Sequence, residues 1–216
     1  MDPADAFWNT LREFRDDTLI IQALLVIGYL FTIWRIAKKP GHRTDSLVKV
    51  FLAAAFLWNG VACFLLYCWD YSLARFLAGP LYIVVGFLFI VDLLGPKKIR
   101  FTFSVPPLRR AAVAFFILLA FLFPVLGIFT GHGMIALPGF PCPMAGFTLA
   151  LLTAAIPNID RTILALLLVW AFVNIPKVFG FVNCYEEITL VLTGFYALWV
   201  YKTTPAKDHC SSTTAP

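Results

Sequence analysis

Residues 111–130 read AAVAFFILLAFLFPVLGIFT, a stretch without a single charge, and its centre, Phe115-Phe116-Ile117-Leu118-Leu119-Ala120-Phe121, carries no polar side chain at all. A helix rises about 1.5 Å per residue, so about 20 such residues cover the ~30 Å hydrocarbon core of a bilayer. A transmembrane β-strand would instead alternate apolar and polar residues over about ten positions. This run does not alternate, so it reads as a helix in lipid.

The same pattern recurs on both sides of it. Apolar stretches precede it at Thr18–Ile36, Val50–Tyr67 and Phe76–Leu94, and follow it at Pro143–Ile156, Thr162–Val182 and Glu187–Tyr201. The prediction is an all-α polytopic transmembrane helical bundle of about seven spans, occupying residues 18–202 as one domain. The fifth and seventh stretches are short, and must borrow flanking residues, sit in thinned bilayer or hide behind neighbours. A re-entrant fifth segment would reduce the count to six. Pro124 and Pro176 fall inside stretches and are expected to kink them. Composition agrees: of 216 residues 61% are hydrophobic and 13% charged, with a mean hydropathy of +0.85. Soluble domains run nearer half apolar and a quarter charged.

The net charge of +5 sits between the apolar stretches, as topology determinants do, rather than along one face, and no nucleic-acid motif accompanies it. Nucleic acid is therefore not an expected partner. With the N-terminus outside, thirteen of the 17 Lys and Arg fall in cytoplasmic connections, among them Arg35, Lys38, Lys39, Lys49, Arg109 and Arg110, while Arg12, Arg15, Arg75 and Lys177 stay outside. The C-terminus is then cytoplasmic. Acids Asp16 and Asp17 before the first span and bases after it suit an uncleaved first span with no signal peptide. Ahead of it, residues 1–17 place Phe7, Leu11 and Phe14 at helical spacing with Trp8 beside them, a short amphipathic helix anchored on the outer surface. Residues 203–216 read as a disordered cytoplasmic tail.

The loop from Gly131 to Pro143 holds the most distinctive chemistry. Cys142 lies between two prolines where a helix begins, at or near the N-cap, where the helix dipole favours thiolate. His132, in the same loop, is a candidate second ligand or base, so Cys142 with His132 forms a candidate soft-metal or thiol-reactive site. The bland alternative is a rigid loop with a structural cysteine. Cys63, Cys68, Cys142 and Cys184 all face the outer side. They can be inert, form a disulfide (Cys142 with Cys184 is the favoured pair) or collect a metal, though the spacing of Cys63 and Cys68 matches no CxxC motif. Gln22, Asn59, Thr148, Asn174 and Lys177 are polar groups within or beside spans, expensive to bury unpaired and so candidates for binding. They gather towards the outer leaflet, as an outward-opening cavity would require; interhelical hydrogen bonding is the plainer use. Lys177 with Glu186 or Glu187, and Asp92 with Lys97, are expected ion pairs. Gly146, Ala150 and Ala154 make a small-residue ridge that predicts a central fifth helix in close backbone contact with a neighbour.

The stretch Gly139-Phe140-Pro141-Cys142-Pro143-Met144-Ala145-Gly146-Phe147-Thr148-Leu149 resembles the bacterial multi-pass membrane proteins grouped as domain of unknown function 6064. The shared elements are G-x-P-C-P (Gly139, Pro141, Cys142, Pro143), the pair Phe147-Thr148, His132 upstream, and Leu57-Trp58-Asn59-Gly60. In the first span only Gln22 keeps the family's pattern; Phe14-Arg15 and Leu19-Ile20 stand in its other places, and a His-bearing pattern late in the second span is missing. The resemblance implies a helical bundle in a bacterial inner membrane and supplies no activity.

No Walker loop, dinucleotide fingerprint, HExxH or nucleophile elbow occurs, so the familiar enzyme classes and their cofactors find no support. The favoured reading is binding or transport of a small solute or metal ion near the outer face. An accessory subunit serving a membrane-protein partner or a homo-oligomer is the second reading, and a membrane-embedded thiol-dependent enzyme the third.

Overall fold

A computed structural model describes residues 3–95, 98–181 and 184–204. Among these the chain is helical with no strand. Helix α1 (Pro3–Asp17) leads into α2 (Leu19–Lys38) and α3 (His42–Trp58), which continues as a π-helical stretch, Asn59–Tyr67. A second π-helical turn, Ala74–Ala78, opens α4 (Gly79–Leu94); then come α5 (Pro107–Thr130), α6 (Pro141–Ala155) and α7 (Arg161–Val173). A third π-helical stretch, Lys177–Phe181, and a 3₁₀ turn, Tyr185–Glu187, precede α8 (Ile188–Thr203). Every apolar stretch of the sequence has its helix. Five helical runs are long and apolar enough to cross a membrane: Leu19–Lys38, His42–Tyr67, Ala74–Leu94, Pro107–Thr130 and Arg161–Gly180. Their outward faces stay apolar, with Ile20, Leu94, Phe115, Phe129 and Val169 exposed. Such a surface is a liability in water and ordinary in lipid.

The two short helices differ in setting. At 15 residues α6 is about 22 Å long, less than the hydrocarbon thickness. It is buried on all sides, from Pro143 through Ala155, and packs on α5, α7 and α8. It is central, as the ridge reading predicts, but for a different reason. A Cβ on Gly146 would meet only Leu190 Cδ1, at the distance of an ordinary contact, 3.9 Å, and no backbone of a neighbouring helix within 4 Å. The close approaches are elsewhere: a Cβ on Gly60 would stand 3.2 Å from the Ile83 backbone nitrogen, and one on Gly194 2.9 Å from Ala171 Cβ. Its two ends are held from different helices, the first turn by Tyr82 of α4 and the last by Arg109 of α5.

The connections gather at two ends. At the basic end, three aspartates pin the chain between α4 and α5. Asp45 accepts from Phe101 N–H at 2.9 Å, Asp92 from Lys98 N–H at 2.7 Å and Ile99 N–H at 3.3 Å, and Asp160 from the Lys98 ammonium at 2.9 Å. Ile99 and Phe101 are thereby buried. Asp92 also pairs with Lys49 at 2.7 Å, both side chains being sealed from solvent. The expected partner, Lys97, lies outside the described residues; among those described the carboxylate is met across helices by a lysine that the sequence grouped with the loops. Arg109 donates to the carbonyls of Thr153 and, at 3.1 Å, Ile156, closing the C-terminus of α6 with a cation where the helix dipole favours one.

At the opposite end, which carries the described cysteines and is here called the thiol end, α1 forms as predicted, but its apolar face meets protein. Phe14 is fully buried, its ring 5.2 Å from Tyr67 and 5.1 Å from Phe140, and Trp8 is nearly so. The helix is docked on the bundle as a cover. Pro124 lies within an unbroken α5, whereas α7 stops at Val173, short of Pro176. Of the expected tail, residues 203–216, Thr203 is still the last residue of α8, and residues 205–216 lie outside those described.

Asp160 is the N-cap of α7, its carboxylate accepting from Thr162 N–H at 2.8 Å and Ile163 N–H at 3.3 Å. Burial opposes its charge, but the Lys98 ammonium and the two N–H groups outweigh that and hold the carboxyl below its usual range. A pKa lower in the folded state means a contribution present above the ordinary carboxylate value of about 3.9 and lost as pH falls through the folded-state value. Asp160→Ala should cost about 1 kcal/mol near neutral pH, and the difference from wild type should close as pH falls beneath the ordinary carboxylate value and through the lower folded-state one. Thermal unfolding in detergent across that range measures it; a difference that persists unchanged in acid would contradict the cap.

Candidate functional site: an aromatic cavity ringed by thiols

The loop after α5 folds back through two glycines in the left-handed region, Gly131 (φ 91°) and Gly133 (φ 71°), whose conformation strains any residue with a Cβ. His132 N–H and Gly133 N–H both donate to Gly127 O at 2.9 Å. The turn sets the His132 ring against Trp8 of α1, stacked at 4.0 Å, with Nδ1 2.9 Å from Glu186 Oε1. The Thr130 hydroxyl donates to the same oxygen at 2.5 Å.

Cys142 occupies the first turn of α6, two residues past the N-cap Phe140. The residues ahead of it are held from other helices. Asn59 Nδ2 donates to Gly139 O at 3.1 Å, and the Tyr82 hydroxyl to Pro141 O at 2.7 Å. Gly139 lies close against the first span: a Cβ there would fall 2.3 Å from Gln22 Oε1, so that side chain would have to move. The Cys142 thiol donates to Glu187 Oε1 at 3.1 Å. Its partner is thus a carboxylate on the 3₁₀ turn, and His132 faces the other glutamate of that turn. The sequence put Cys142 and His132 into one donor set; the fold gives each its own partner. Among the described residues no three of His, Cys, Asp and Glu are grouped to hold a metal ion.

Glu187 Oε1 also receives the Lys177 ammonium at 3.4 Å, the ion pair expected from the sequence. That ammonium lies 5.3 Å from the Trp170 ring and 5.7 Å from Phe7. Glu187 is 3% exposed and its Oε2 has no partner. Cys184, beside this turn, is buried. Burial first, then the carboxylates of Glu187 and Glu186, push its thiol well above the ordinary range.

These groups edge a cavity of about 740 Å³, in the size range of small-molecule sites. Its walls are aromatic and aliphatic, with Phe64, Phe140 and Trp170 on the bundle side and Phe7, Trp8 and Leu11 of α1 above. Four cysteines line it: Cys63, Cys68, Cys142 and Cys184, all free thiols, so no bond joins Cys142 to Cys184. Each of the three π-helical stretches supplies wall residues, Cys63 from the first, Ala74 from the second and Lys177 from the third. The wider π turn is frequent at functional sites.

Of the polar residues singled out in the sequence, Cys142 and Lys177 line the cavity. Asn59 instead holds the Gly139 loop, and Gln22, buried beside it, donates to the Thr18 hydroxyl at 3.3 Å. Thr148 bonds back to Met144 O at 2.9 Å and Asn174 to Trp170 O at 2.6 Å, each within its own helix turn. Glu187, Trp170 and Trp8 were not among those candidates. The run Cys184-Tyr185-Glu186-Glu187 ahead of a span is the signal that marks the glutamate, because two carboxylates at the head of an apolar helix need partners.

An all-α bundle of apolar helices with one aromatic, thiol-lined cavity at an end is the class this chain defines, and it is compatible with a membrane protein. The chain belongs to the family of unknown function DUF6064, whose profile matches residues 4–210. Neither the curated proteins nor the solved structures offer a match.

In a variant retaining Cys184 alone, alkylation by iodoacetamide should be slow at neutral pH and should keep accelerating beyond about pH 8.5, the free-cysteine value. A rate that levels off below that point would place the thiol outside the carboxylate-lined pocket.

Proposed function

We propose that the protein is a membrane-embedded binding protein for a small amphiphile, taken up at the thiol end. The cavity is the observation that carries this reading. An aromatic enclosure of about 740 Å³ suits an apolar body. The polar wall suits a single head group: Lys177 offers a donor and the unpartnered Oε2 of Glu187 an acceptor. A freely hydrated solute gains little from such walls, because burying polar groups without partners costs free energy. A soft-metal cargo has no three-donor group to receive it among the described residues. Small-solute binding near one face is retained from the sequence, narrowed to a ligand that itself prefers lipid.

The setting we propose is a bacterial inner membrane with the thiol end outside and the C-terminus in the cytoplasm. The bias of Lys and Arg towards the basic end supports it. A green fluorescent protein fused after Thr204 should fluoresce and an alkaline phosphatase fused there should stay inactive; the reverse result overturns this orientation.

Native mass spectrometry of protein extracted in mild detergent tests the cavity. Wild type should carry a bound apolar adduct near equimolar amounts. Ala74→Trp, which fills the cavity from the second π-helical stretch, should lose it while unfolding at a temperature close to that of wild type. Equal adduct in both proteins, or none in wild type, would sink the reading.

A further inference from the structure

Cys63 and Cys68 are five residues apart, a spacing that an α-helix splays to different faces. Here the segment is π-helical, with i→i+5 hydrogen bonds, and Cys68 N–H donates to Cys63 O at 2.9 Å. That bond, with Cys68 as the C-cap of the stretch, places the two cysteines on successive turns, both on the cavity wall. One helical turn, about 5 Å, falls within the Cα separations of about 4.4–6.8 Å that a disulfide spans. The two side chains are close enough to act on each other directly. Both line the aromatic cavity, buried from bulk water.

We propose that Cys63 and Cys68 are a redox-active dithiol, and that the amphiphile in the cavity is a lipid-soluble quinone that oxidises it. This rests on the cavity reading above and names the ligand class. Three observations converge on a quinone. Its flat ring and isoprenoid tail match an aromatic, apolar enclosure beside lipid-facing helices. Its carbonyl oxygen is an acceptor for Lys177, and the hydroxyl of the reduced ring is a donor for the empty Oε2 of Glu187. It is also a two-electron acceptor that dissolves in membranes, which a buried dithiol needs and a soluble oxidant does not provide. The reaction balances: two S–H bonds break and one S–S bond forms. The two electrons and two protons pass to the ring, whose two C=O groups become C–OH. Two thiol groups of a substrate arriving from outside would return the disulfide to the dithiol by exchange, through a mixed disulfide, and would leave joined to each other as a disulfide.

The test uses full-length protein in mild detergent, reduced, freed of reductant without oxygen and mixed with ubiquinone-1. Wild type should reduce about one equivalent of quinone, matching one two-electron couple. Alkylation and peptide mass mapping should find the new disulfide between Cys63 and Cys68. Cys63→Ala and Cys68→Ala should each abolish quinone reduction while still binding ubiquinone-1 by native mass spectrometry, a binding readout that also reports a folded cavity. Cys210→Ser, outside the described residues, should behave as wild type. Quinone bound with all thiols left reduced overturns the redox inference and leaves the cavity reading standing. Absence of both ubiquinone-1 and any native adduct removes the cavity reading too. A disulfide that still forms with quinone in Cys63→Ala would move the activity to other cysteines and overturn the assignment.

Discussion

A helix buried on every side, and shorter than the membrane is thick, has no water at either end to satisfy its terminal N–H and C=O groups. Helix α6 is in that position, and the rest of the bundle is arranged to answer it. At its N-terminal end Tyr82 and Asn59 cap the carbonyls of Pro141 and Gly139, and Pro141 and Pro143 remove two N–H groups that would otherwise need partners. At its C-terminal end Arg109 covers the carbonyls of Thr153 and Ile156. The donors come from the first π-helical stretch, from α4 and from α5. Docking those runs around α6 and satisfying its ends are therefore one requirement, and it fixes which loop faces which end.

The cavity follows from the same constraint. Holding Pro141 and Gly139 in place fixes the Cys142 turn as its floor. The surrounding helices then depart from α geometry at that end, in three π-helical stretches. A π turn spreads the backbone and leaves space that an α turn would fill. Helix α1 roofs the space with Phe7 and Trp8, and Trp8 is tied down by its stack on His132, itself oriented by Glu186 and the Gly131–Gly133 turn. Lys177 and Glu187 supply the polar wall. The roof thus depends on contacts from α1, the α5–α6 loop and the 3₁₀ turn, elements far apart in sequence.

That distance explains what the sequence could and could not reveal. The apolar runs were legible because hydropathy is a sum over neighbouring residues, and each run has its helix. The start of α6 was legible from Pro143 to within two residues, since the helix begins at Pro141 with Phe140, not Cys142, as N-cap, and its need for surrounding helices was legible from its length. Lys49 was not. The apolar run begins at Val50, so Lys49 reads as a loop base, yet α3 starts at His42 and carries Lys49 two turns inside, opposite Asp92. Asp92 thus has a partner on another helix, which local spacing does not announce. Cys63 and Cys68 show the same limit: their spacing means little on an α-helix, and no sequence rule announced the π winding that aligns them. Gly146, by contrast, suggested a close approach that the packing does not use.

The two ends of the bundle are unequal, and the inequality bears on what it can do. The thiol end holds a space of small-molecule size. The basic end is filled by Ile99 and Phe101, fastened by Asp45, Asp92 and Asp160 from three separate elements, with the buried Lys49–Asp92 pair beneath. Passing a solute through would require lifting that connector and parting Lys49 from Asp92. Leaving a buried charge without its partner costs about 3–5 kcal/mol, before any rearrangement of α3 and α4 is counted. Binding or reacting at the thiol end requires none of this. The physical asymmetry therefore favours a protein that receives its ligand and works on it from one side of the bundle over one that conducts it across.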